Sequence, residues 1–443
     1  MKKVLLIALL LSLMGTFVAC QSKDGEFETE NIQTTSVSEN MENSASEKET
    51  EEQSPMVESP QILSLQETRI VEYEGIGNYD KLLLMSEYNY VNFWEGKENY
   101  SEMDRTLSEM SGMITRSQED EADNIVSFAQ EMFDIDSGNF ETQVSTLDVQ
   151  VRRADSVVVS FLSDSYADYG FIEDFRGMWG RNYDVQTGEE LLLSNVILDM
   201  KPIPGIILKE LNSHIWAGDS YSETVVEEYF KNTPMDSISW TLDYNGVTFY
   251  FGDGDLAEMG NGCVSATVSF AEYPQLFNEK YINVPKAYMV RLPLDYSYFT
   301  DLDGDGTLEE LNCSGYFNEA DRFYTQFGIY TDFDGYYHYE ELFAYDFQSY
   351  YVKTQDDNHY IYLFCEGNET GNHMQGQMKL VVYNVNGGIL TRVGEMNIAP
   401  AYIPSNIFVL PLDPDNMLLD NYDSLAQDAE IYKVGEDGMP VKK

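Results

Sequence analysis

The residues with the clearest chemistry form a run of alternating carboxylates, D-L-D-G-D-G-T-L-E-E-L, from Asp301 to Leu311. Alternate side chains of such a run can point into one loop, and Gly306 permits a sharp turn there. Calcium prefers six to eight oxygen ligands, so the run predicts a Ca²⁺ site. The alternative is a metal-free acidic hairpin turn. The expected ligands are Asp301, Asp303, Asp305, the Thr307 carbonyl and Glu309.

The spacing of this loop differs from that of an EF-hand, in which a bidentate glutamate stands at position twelve between two helices. Position twelve here is Asn312, and the flanking residues are typical of strands. The run resembles the calcium loop of FG-GAP or VCBS-type repeats, in which the ninth position, here Glu309, supplies the closing carboxylate. The resemblance implies a structural calcium ion that cross-links two strands.

The sequence contains neither a GxSxG motif nor an HExxH motif, and its four histidines are scattered without metal-ligand spacing. We therefore expect no catalytic residues and no enzyme activity. A hydrolase that acts on peptidoglycan or glycans through carboxylates remains an alternative. The aromatic segment Tyr336–Tyr339 is a candidate for stacking on sugar rings, although strand residues that pack a core would have the same composition.

The N-terminus has the pattern of an export signal. Lys2 and Lys3 precede an apolar run, and Ala19 precedes Cys20. The ending FVAC resembles the lipobox of bacterial lipoproteins, which implies cleavage before Cys20 and a diacylglycerol on its thiol. The alternative is an ordinary secretory signal. We expect a lipid-anchored protein on the extracytoplasmic face of the cell membrane, with residues 1–19 as signal peptide.

Composition and charge define the next segment and the classes of partner. Residues 20–60 are rich in Ser, Thr and Glu, which predicts a disordered acidic tether. The whole chain has a formal net charge of −51, which excludes nucleic acid as a partner and favours cationic proteins.

Three cysteines remain besides Cys20, namely Cys263, Cys313 and Cys365. Outside the cytoplasm one disulfide is possible, and Cys313 with Cys365 is the preferred pair because both lie in strand-like segments of the C-terminal region. Three buried thiols are the alternative.

Residues 61–292 mix strand and helix patterns. Residues 82–93 have strand composition, and the apolar positions of 119–133 fall three and four apart, as on one face of a helix. Two more helices are expected, one with Ile206, Ile207 and Leu211 on its apolar face and one capped by Ser220. Asn245-Gly246 between alternating strands predicts a hairpin.

A series of short strings in this region carries a second resemblance. The strings are VRRADSVVVSFL (151–162), NYDVQTGEELLLSNVI (182–197), WTLDYNGVTFYFGDGDLAEMGNG (240–262) and FAEYPQLFN (270–278). They are similar to the extracytoplasmic domain shared by RsiV-type anti-sigma factors and PdaC-type wall deacetylases, a domain of unknown function. The resemblance implies an α+β fold and recognition of a lysozyme-like cationic protein.

After residue 292 the pattern becomes short aromatic strands separated by turns, which predicts an antiparallel β-rich domain over 293–443. The fold class is therefore expected to be α+β, with an RsiV-like domain followed by an FG-GAP-like domain. The expected function is non-enzymatic binding of a cationic wall-active protein or a wall glycan, with calcium as a structural ion. A passive envelope scaffold is a further alternative.

Overall fold

The computed structural model describes most of the chain after residue 59. The described residues are 60–72, 82–169, 175–213, 220–252, 254–256, 263–292, 294, 296–318, 323–332, 337–344, 346–366, 378–398, 413–419 and 430–443. The expected signal peptide, Cys20 and the acidic tether up to residue 59 therefore lie outside the described residues, as do His214, His373 and the Asp334-Gly335 turn. Within the described part of the chain, the structure contains no helix with both the length and the hydrophobicity needed to cross a lipid bilayer.

The first five strands form one sheet with a long helix against it. The elements are β1 (Gln61–Glu72), β2 (Leu82–Glu95), α1 (Ser101–Ile135), β3 (Gln143–Ala154), β4 (Val158–Asp168) and β5 (Phe175–Asp184). The sheet order follows the chain order, and only β2 and β3 run parallel, because the α1 crossover joins them. The other neighbours are antiparallel.

Helix α1 is much longer than the predicted stretch of 119–133. Its buried side chains continue the same spacing toward the N-terminus through Ile114, Met110, Leu107 and Met103. They pack with Val149 and Phe161 of the sheet, while the opposite face of the helix carries charged residues. The polar residues between these apolar positions hid the first half of the helix from a pattern search.

The middle of the chain forms a second, smaller sheet with short helices. The elements are α2 (Leu193–Val196), α3 (Ile203–Ser213), α4 (Glu223–Asn232), β6 (Ser239–Leu242), β7 (Gly246–Phe251), β8 (Val264–Ser269) and α5 (Glu279–Ile282). The Asn245-Gly246 hairpin is confirmed, because β6 and β7 pair in antiparallel register on either side of it. Ser222, not Ser220, is the N-cap residue of α4.

Two sheets interact where β5 meets β6. The amide nitrogen of Gly180 donates a hydrogen bond to Ser239 Oγ on the opposite strand at 3.0 Å. A Cβ atom on Gly180 would lie 1.8 Å from the carbonyl oxygen of Trp240. The buried Asn182 side chain donates to the same carbonyl at 3.0 Å and accepts from the Leu242 amide at 2.7 Å. Polar side chains of β5 therefore satisfy backbone groups of the second sheet.

The C-terminal part consists almost entirely of antiparallel strands. The elements are β9 (Tyr288–Leu292), β10 (Ser297–Thr300), β11 (Glu309–Asn318), β12 (Phe323–Thr331), β13 (Tyr337–Ala344), β14 (Asp346–Lys353), β15 (His359–Glu366), β16 (Met378–Asn384), β17 (Thr391–Ile398), β18 (Met417–Leu419), β19 (Glu430–Val434) and β20 (Pro440–Lys442). Short 3₁₀ turns in the chain lie at Lys97–Asn99, Met235–Ser237, Pro274–Leu276 and Asn386–Gly388.

These strands build three layers. The sheet β17-β16-β15-β14-β9 lies between the sheet β10-β11-β12-β13 and the small sheet β18-β19-β20. Because side chains alternate along a strand, Ile361 and Leu363 of β15 pack toward β10–β13, and Tyr362 packs toward Met417 of β18. The middle sheet is therefore buried on both faces.

The described fold is mixed and β-rich, with many antiparallel sheets and few helices. The expected α+β class is confirmed only as a mixed, β-rich fold. The described residues do not form a clearly separate N-terminal α+β domain. The expected boundary at residues 292 and 293 falls directly after β9. That strand pairs with β14, with Ser349 opposite Leu292, so it belongs to the C-terminal sheet.

Candidate metal centre

The acidic run forms the loop of a β-hairpin. Strands β10 and β11 pair in antiparallel register, and the last pair joins Thr300 to Glu309. The loop therefore spans the residues between them, and Glu309 is the first residue of β11. Because the strands are paired up to the loop, its carboxylates are brought together by the sheet and not by loop residues alone.

Backbone amide groups of the loop donate hydrogen bonds to its own carboxylates. Asp301 accepts from the Gly304 amide at 2.6 Å and from the Gly306 amide at 3.0 Å. Asp303 accepts from the Asp305 amide at 3.0 Å, and Asp305 accepts from the Thr307 amide at 2.7 Å. These contacts wrap the backbone around the carboxylates.

Two glycines allow this wrapping. Gly304 has φ of +81° and Gly306 has φ of +91°, a backbone region that residues with a Cβ atom rarely adopt. No atom lies within 4 Å of a Cβ placed on Gly304, so the backbone angle and not the available space requires glycine there.

Three carboxylates converge in the loop. Asp301, Asp303 and Glu309 each offer an oxygen atom, and these atoms all lie within 4.8 Å of one another. The carboxylate of Asp305, which the sequence also predicts as a ligand, lies outside this cluster. The structure thus brings together three of the four predicted carboxylates.

The convergence is electrostatically unfavourable for Glu309. The pKa of its carboxyl is raised to about 7, mainly by burial and also by the nearby charges of Asp303, Asp301 and Asp305, while a backbone hydrogen bond from Leu302 lowers it. A divalent cation would remove this penalty, because it neutralises the carboxylates that repel one another.

The donor set suits a hard cation. All the converging groups are carboxylates, and each keeps lone pairs beyond the hydrogen bonds it accepts. Calcium prefers oxygen ligands in flexible arrangements, whereas magnesium requires a stricter octahedron. Asp301, Asp303 and Glu309 would hold the ion, and it would link the end of β10 to the start of β11.

The loop is fastened to the rest of the fold at two points. Leu302 is buried in the core, and its carbonyl accepts a hydrogen bond from the Gly387 amide at 2.9 Å. Asp332, at the end of β12, accepts from the Glu310 amide at 2.8 Å. Sequence analysis missed Asp332 as part of this site, because its proximity depends on the register between β11 and β12.

The predicted Cys313–Cys365 disulfide is not formed. Among the described residues, Cys263, Cys313 and Cys365 are all thiols. Cys313 lies on β11 and Cys365 on β15, so the two belong to different sheets that pack face to face. Both are buried in one apolar core, which is the environment of a small hydrophobic side chain. The alternative of reduced thiols fits this structure.

Where the structure describes them, the aromatic segment and the histidines that the sequence analysis considered lie outside the carboxylate cluster. Tyr339 is 60% exposed on β13, and the first residue of that aromatic segment, Tyr336, lies outside the described residues. His359 is buried beside Tyr351, whose hydroxyl lies 2.6 Å from His359 Nδ1. Burial lowers the pKa of His359, which favours the neutral imidazole.

The strings that carry the RsiV-type resemblance meet in the fold. Arg152 and Asp243 form a buried ion pair with 3.0 Å between Nη2 and Oδ2. Arg153 binds Asp155 at 2.7 Å and donates to the Tyr281 carbonyl at 2.7 Å. These charged residues therefore hold strands and turns together inside the protein.

Comparisons with known proteins found solved structures that are similar to part of this chain. No family model matches the sequence, and no curated protein matches it. A crystal structure of a member of the DUF3298 family from Bacteroides fragilis is similar with a TM-score of 0.37 and 10% identity, over 51% of this chain and 96% of that one. A DUF3298 family protein from Pseudomonas aeruginosa gives a TM-score of 0.34 and 12% identity, over 51% of this chain and 98% of that one.

Proposed function

We propose that this chain is a non-enzymatic, lipid-anchored binding protein of the extracytoplasmic face, and that the loop Asp301–Glu309 holds a structural calcium ion. The observation that carries the calcium part is the convergence of Asp301, Asp303 and Glu309 within 4.8 Å. The resemblance of the loop to FG-GAP or VCBS-type calcium loops supports the same ion.

Titration calorimetry of the purified protein tests the ion directly. After treatment with a chelator, the protein should bind one Ca²⁺ per chain, and its melting temperature should rise when calcium is restored. Magnesium at the same concentration should give a smaller rise, because three carboxylates on a flexible loop do not enforce an octahedron. Identical melting curves in chelator and in calcium would remove the calcium site.

The partner class follows from charge. A formal net charge of −51 attracts basic proteins over long distances and repels polyanions. The resemblance to RsiV-type domains supports a lysozyme-like cationic protein, and a wall glycan is the other ligand that we propose. A pull-down from wall and secreted fractions, with and without a chelator, tests both and shows whether binding depends on calcium.

The membrane anchor rests on the lipobox-like ending at Cys20. In cells, the chain should remain with the membrane fraction, and its mature N-terminus should carry a lipid. Cys20→Ala should leave an unlipidated form, which mass spectrometry would distinguish. An unmodified Cys20 in the native protein would contradict the anchor.

A further inference from the structure

A partly open cavity of about 180 Å³ lies beside the calcium hairpin. Ser297, Phe299, Leu308 and Glu310 form one wall, and residues of α3, β5 and β8 form the others. The cavity is therefore built by segments far apart in the sequence, and the hairpin of the proposed calcium site supplies one side of it.

The polar groups of this cavity are acidic or neutral. Glu210 and Glu310 line it, and none of the described residues that line it is a lysine, arginine or histidine. Glu310 is 8% exposed and accepts a hydrogen bond from Ser297 Oγ. The Glu210 carboxylate, 16% exposed, lies 3.2 Å from Lys209 Nζ, which also contacts Glu272. Two carboxylates at low exposure favour a positively charged occupant.

Tyr296 also lines this cavity. Its hydroxyl is buried and has no hydrogen-bond partner among the described residues. The guanidinium of Arg176 lies over the face of its ring, 4.4 Å from the centroid, which fixes the ring orientation. A buried hydroxyl without a partner is costly, so a ligand that donates a hydrogen bond to it would be favoured.

The remaining lining is mixed, because Ser265 and Thr267 contribute hydroxyl groups beside several apolar side chains. Met178 and Leu211 are each 7% exposed, and together with Val264, Ala266 and Leu308 they form an apolar part of the lining. An aliphatic chain that ends in an ammonium group matches both parts of the lining, because its methylenes pack on apolar side chains and its N–H groups reach the acceptors.

We propose that this cavity binds the alkylammonium group of a primary amine, either a free amine or a lysine side chain of a bound protein. An apolar cavity of about 150 Å³ is large enough for benzene, so the volume suits a chain of roughly five or six non-hydrogen atoms. The proposal deepens the binding function above, on which it rests, by naming the ligand chemistry.

The test is calorimetric titration of the full mature chain in saturating Ca²⁺. The probes are n-pentylamine and 1,5-diaminopentane, with n-pentanol as the neutral match. Nα-acetyl-lysine methylamide and its Nε-acetylated form make a second matched pair. Both free amines should bind and n-pentanol should not. Binding of the lysine derivative, but not of its Nε-acetylated form, identifies a protein side chain as a source of the ligand.

Variants locate the site. Glu310→Gln keeps the shape of the side chain and should weaken amine binding about tenfold or more, because a hydrogen bond to a charged group is lost. Tyr296→Phe should weaken it less. Glu223→Gln, an exposed residue at the start of α4, is the matched control and should leave it unchanged.

The outcomes separate this inference from the proposed function. Equal binding of n-pentylamine and n-pentanol, no amine binding, or full affinity in Glu310→Gln would each overturn the amine site. Calcium titration of the same samples is an independent readout. Calcium binding without amine binding removes only this inference, whereas amine binding without calcium binding removes only the calcium site.

Discussion

At the scale of single residues, Glu309 makes the stability of the calcium-free protein depend on pH. Its pKa is raised from 4.5 to about 7, so the folded state retains a proton that the unfolded chain releases above pH 4.5. The contribution of Glu309 to stability should be fully present below pH 4.5 and be lost as pH rises to about 7. Solvent screening limits the loss to about 1 kcal/mol.

Denaturant unfolding at several pH values checks this expectation. Glu309→Gln should flatten the dependence of stability on pH over that window. This distinguishes Glu309 from other carboxyl groups such as Asp164, because burial also raises the pKa of Asp164. Saturating calcium should flatten it as well, because the bound ion favours the carboxylate. A profile that is the same in wild type and in Glu309→Gln would contradict the assignment.

Asp303 and Asp305 should differ in their effect on calcium binding. Asp303 belongs to the carboxylate cluster and Asp305 does not. Calcium at about 100 times its dissociation constant should stabilise the wild type by about 2.7 kcal/mol. Asp303→Ala should remove most of this gain, and Asp305→Ala should remove less.

Melting temperatures with and without calcium measure the difference, and Asp415→Ala, in an exposed turn before β18, serves as the control. Without calcium, Asp303→Ala should melt no lower than the wild type, since it removes a charge that repels Glu309. A calcium response that survives intact in Asp303→Ala would count against the cluster.

The sequence was sufficient to predict the position of the acidic loop. Its D-x-D-G-D-G spacing places carboxylates at alternate positions and supplies the glycines that the turn needs. It could not show which carboxylates converge. Asp305 alternates with Asp303 in the sequence, yet its side chain accepts the Thr307 amide and lies outside the cluster. The cavity residues Glu210 and Tyr296 carried no local signal, since only the tertiary fold brings them together.

At the scale of elements, the close contact between β5 and β6 requires a residue without a Cβ atom at position 180, which is Gly180. Gly180→Ala would place a Cβ atom 1.8 Å from the Trp240 carbonyl oxygen, so the strands must separate. We expect a loss of about 3 kcal/mol in the free energy of unfolding. Gly205→Ala in α3 meets no atom within 4 Å and should instead stabilise by up to about 1 kcal/mol. Urea denaturation of both variants distinguishes these signs.

The buried Arg152–Asp243 pair joins β3 to the turn between β6 and β7. Asp243 also accepts hydrogen bonds from the hydroxyls of Thr241 and Thr248, each at 2.8 Å. Asp243→Asn leaves a buried guanidinium without its counter-charge and should cost about 3–5 kcal/mol.

The exposed pair Arg105–Glu102 is the control for that prediction, because both side chains are more than half exposed. Glu102→Gln should leave the free energy of unfolding nearly unchanged, because solvent screens the exposed pair. Chemical denaturation of both variants gives the comparison. Equal small losses would show that the buried pair contributes no more than a surface pair.

Periodicity predicted several elements well and others poorly. The strand over 82–93 and the helix with Ile206 and Leu211 are present, because their apolar positions follow one period. The start of α1 was missed, since charged residues dominate its first turns. Pairing between β9 and β14 could not be predicted, because it joins residues more than fifty positions apart in the chain.

At the scale of the whole molecule, the net charge of −51 would determine the association rate of the cationic partner that we propose. Association with a basic muramidase should be fast at low ionic strength and slow by about tenfold or more at physiological salt, because the Debye length falls to about 8 Å. Stopped-flow or surface-based kinetics over a salt series measures this, and the dissociation rate should change much less. An association rate independent of salt would exclude steering by charge.

The position of β9 determines where this protein could be divided for study. A fragment that starts at residue 293 would lack β9, which pairs with one edge of β14. The backbone amide and carbonyl groups along that edge would then be free to pair with other chains. Such a fragment should self-associate. A fragment that begins before Tyr288 would keep β14 paired with β9, so a recombinant C-terminal fragment should begin before β9 and not at residue 293.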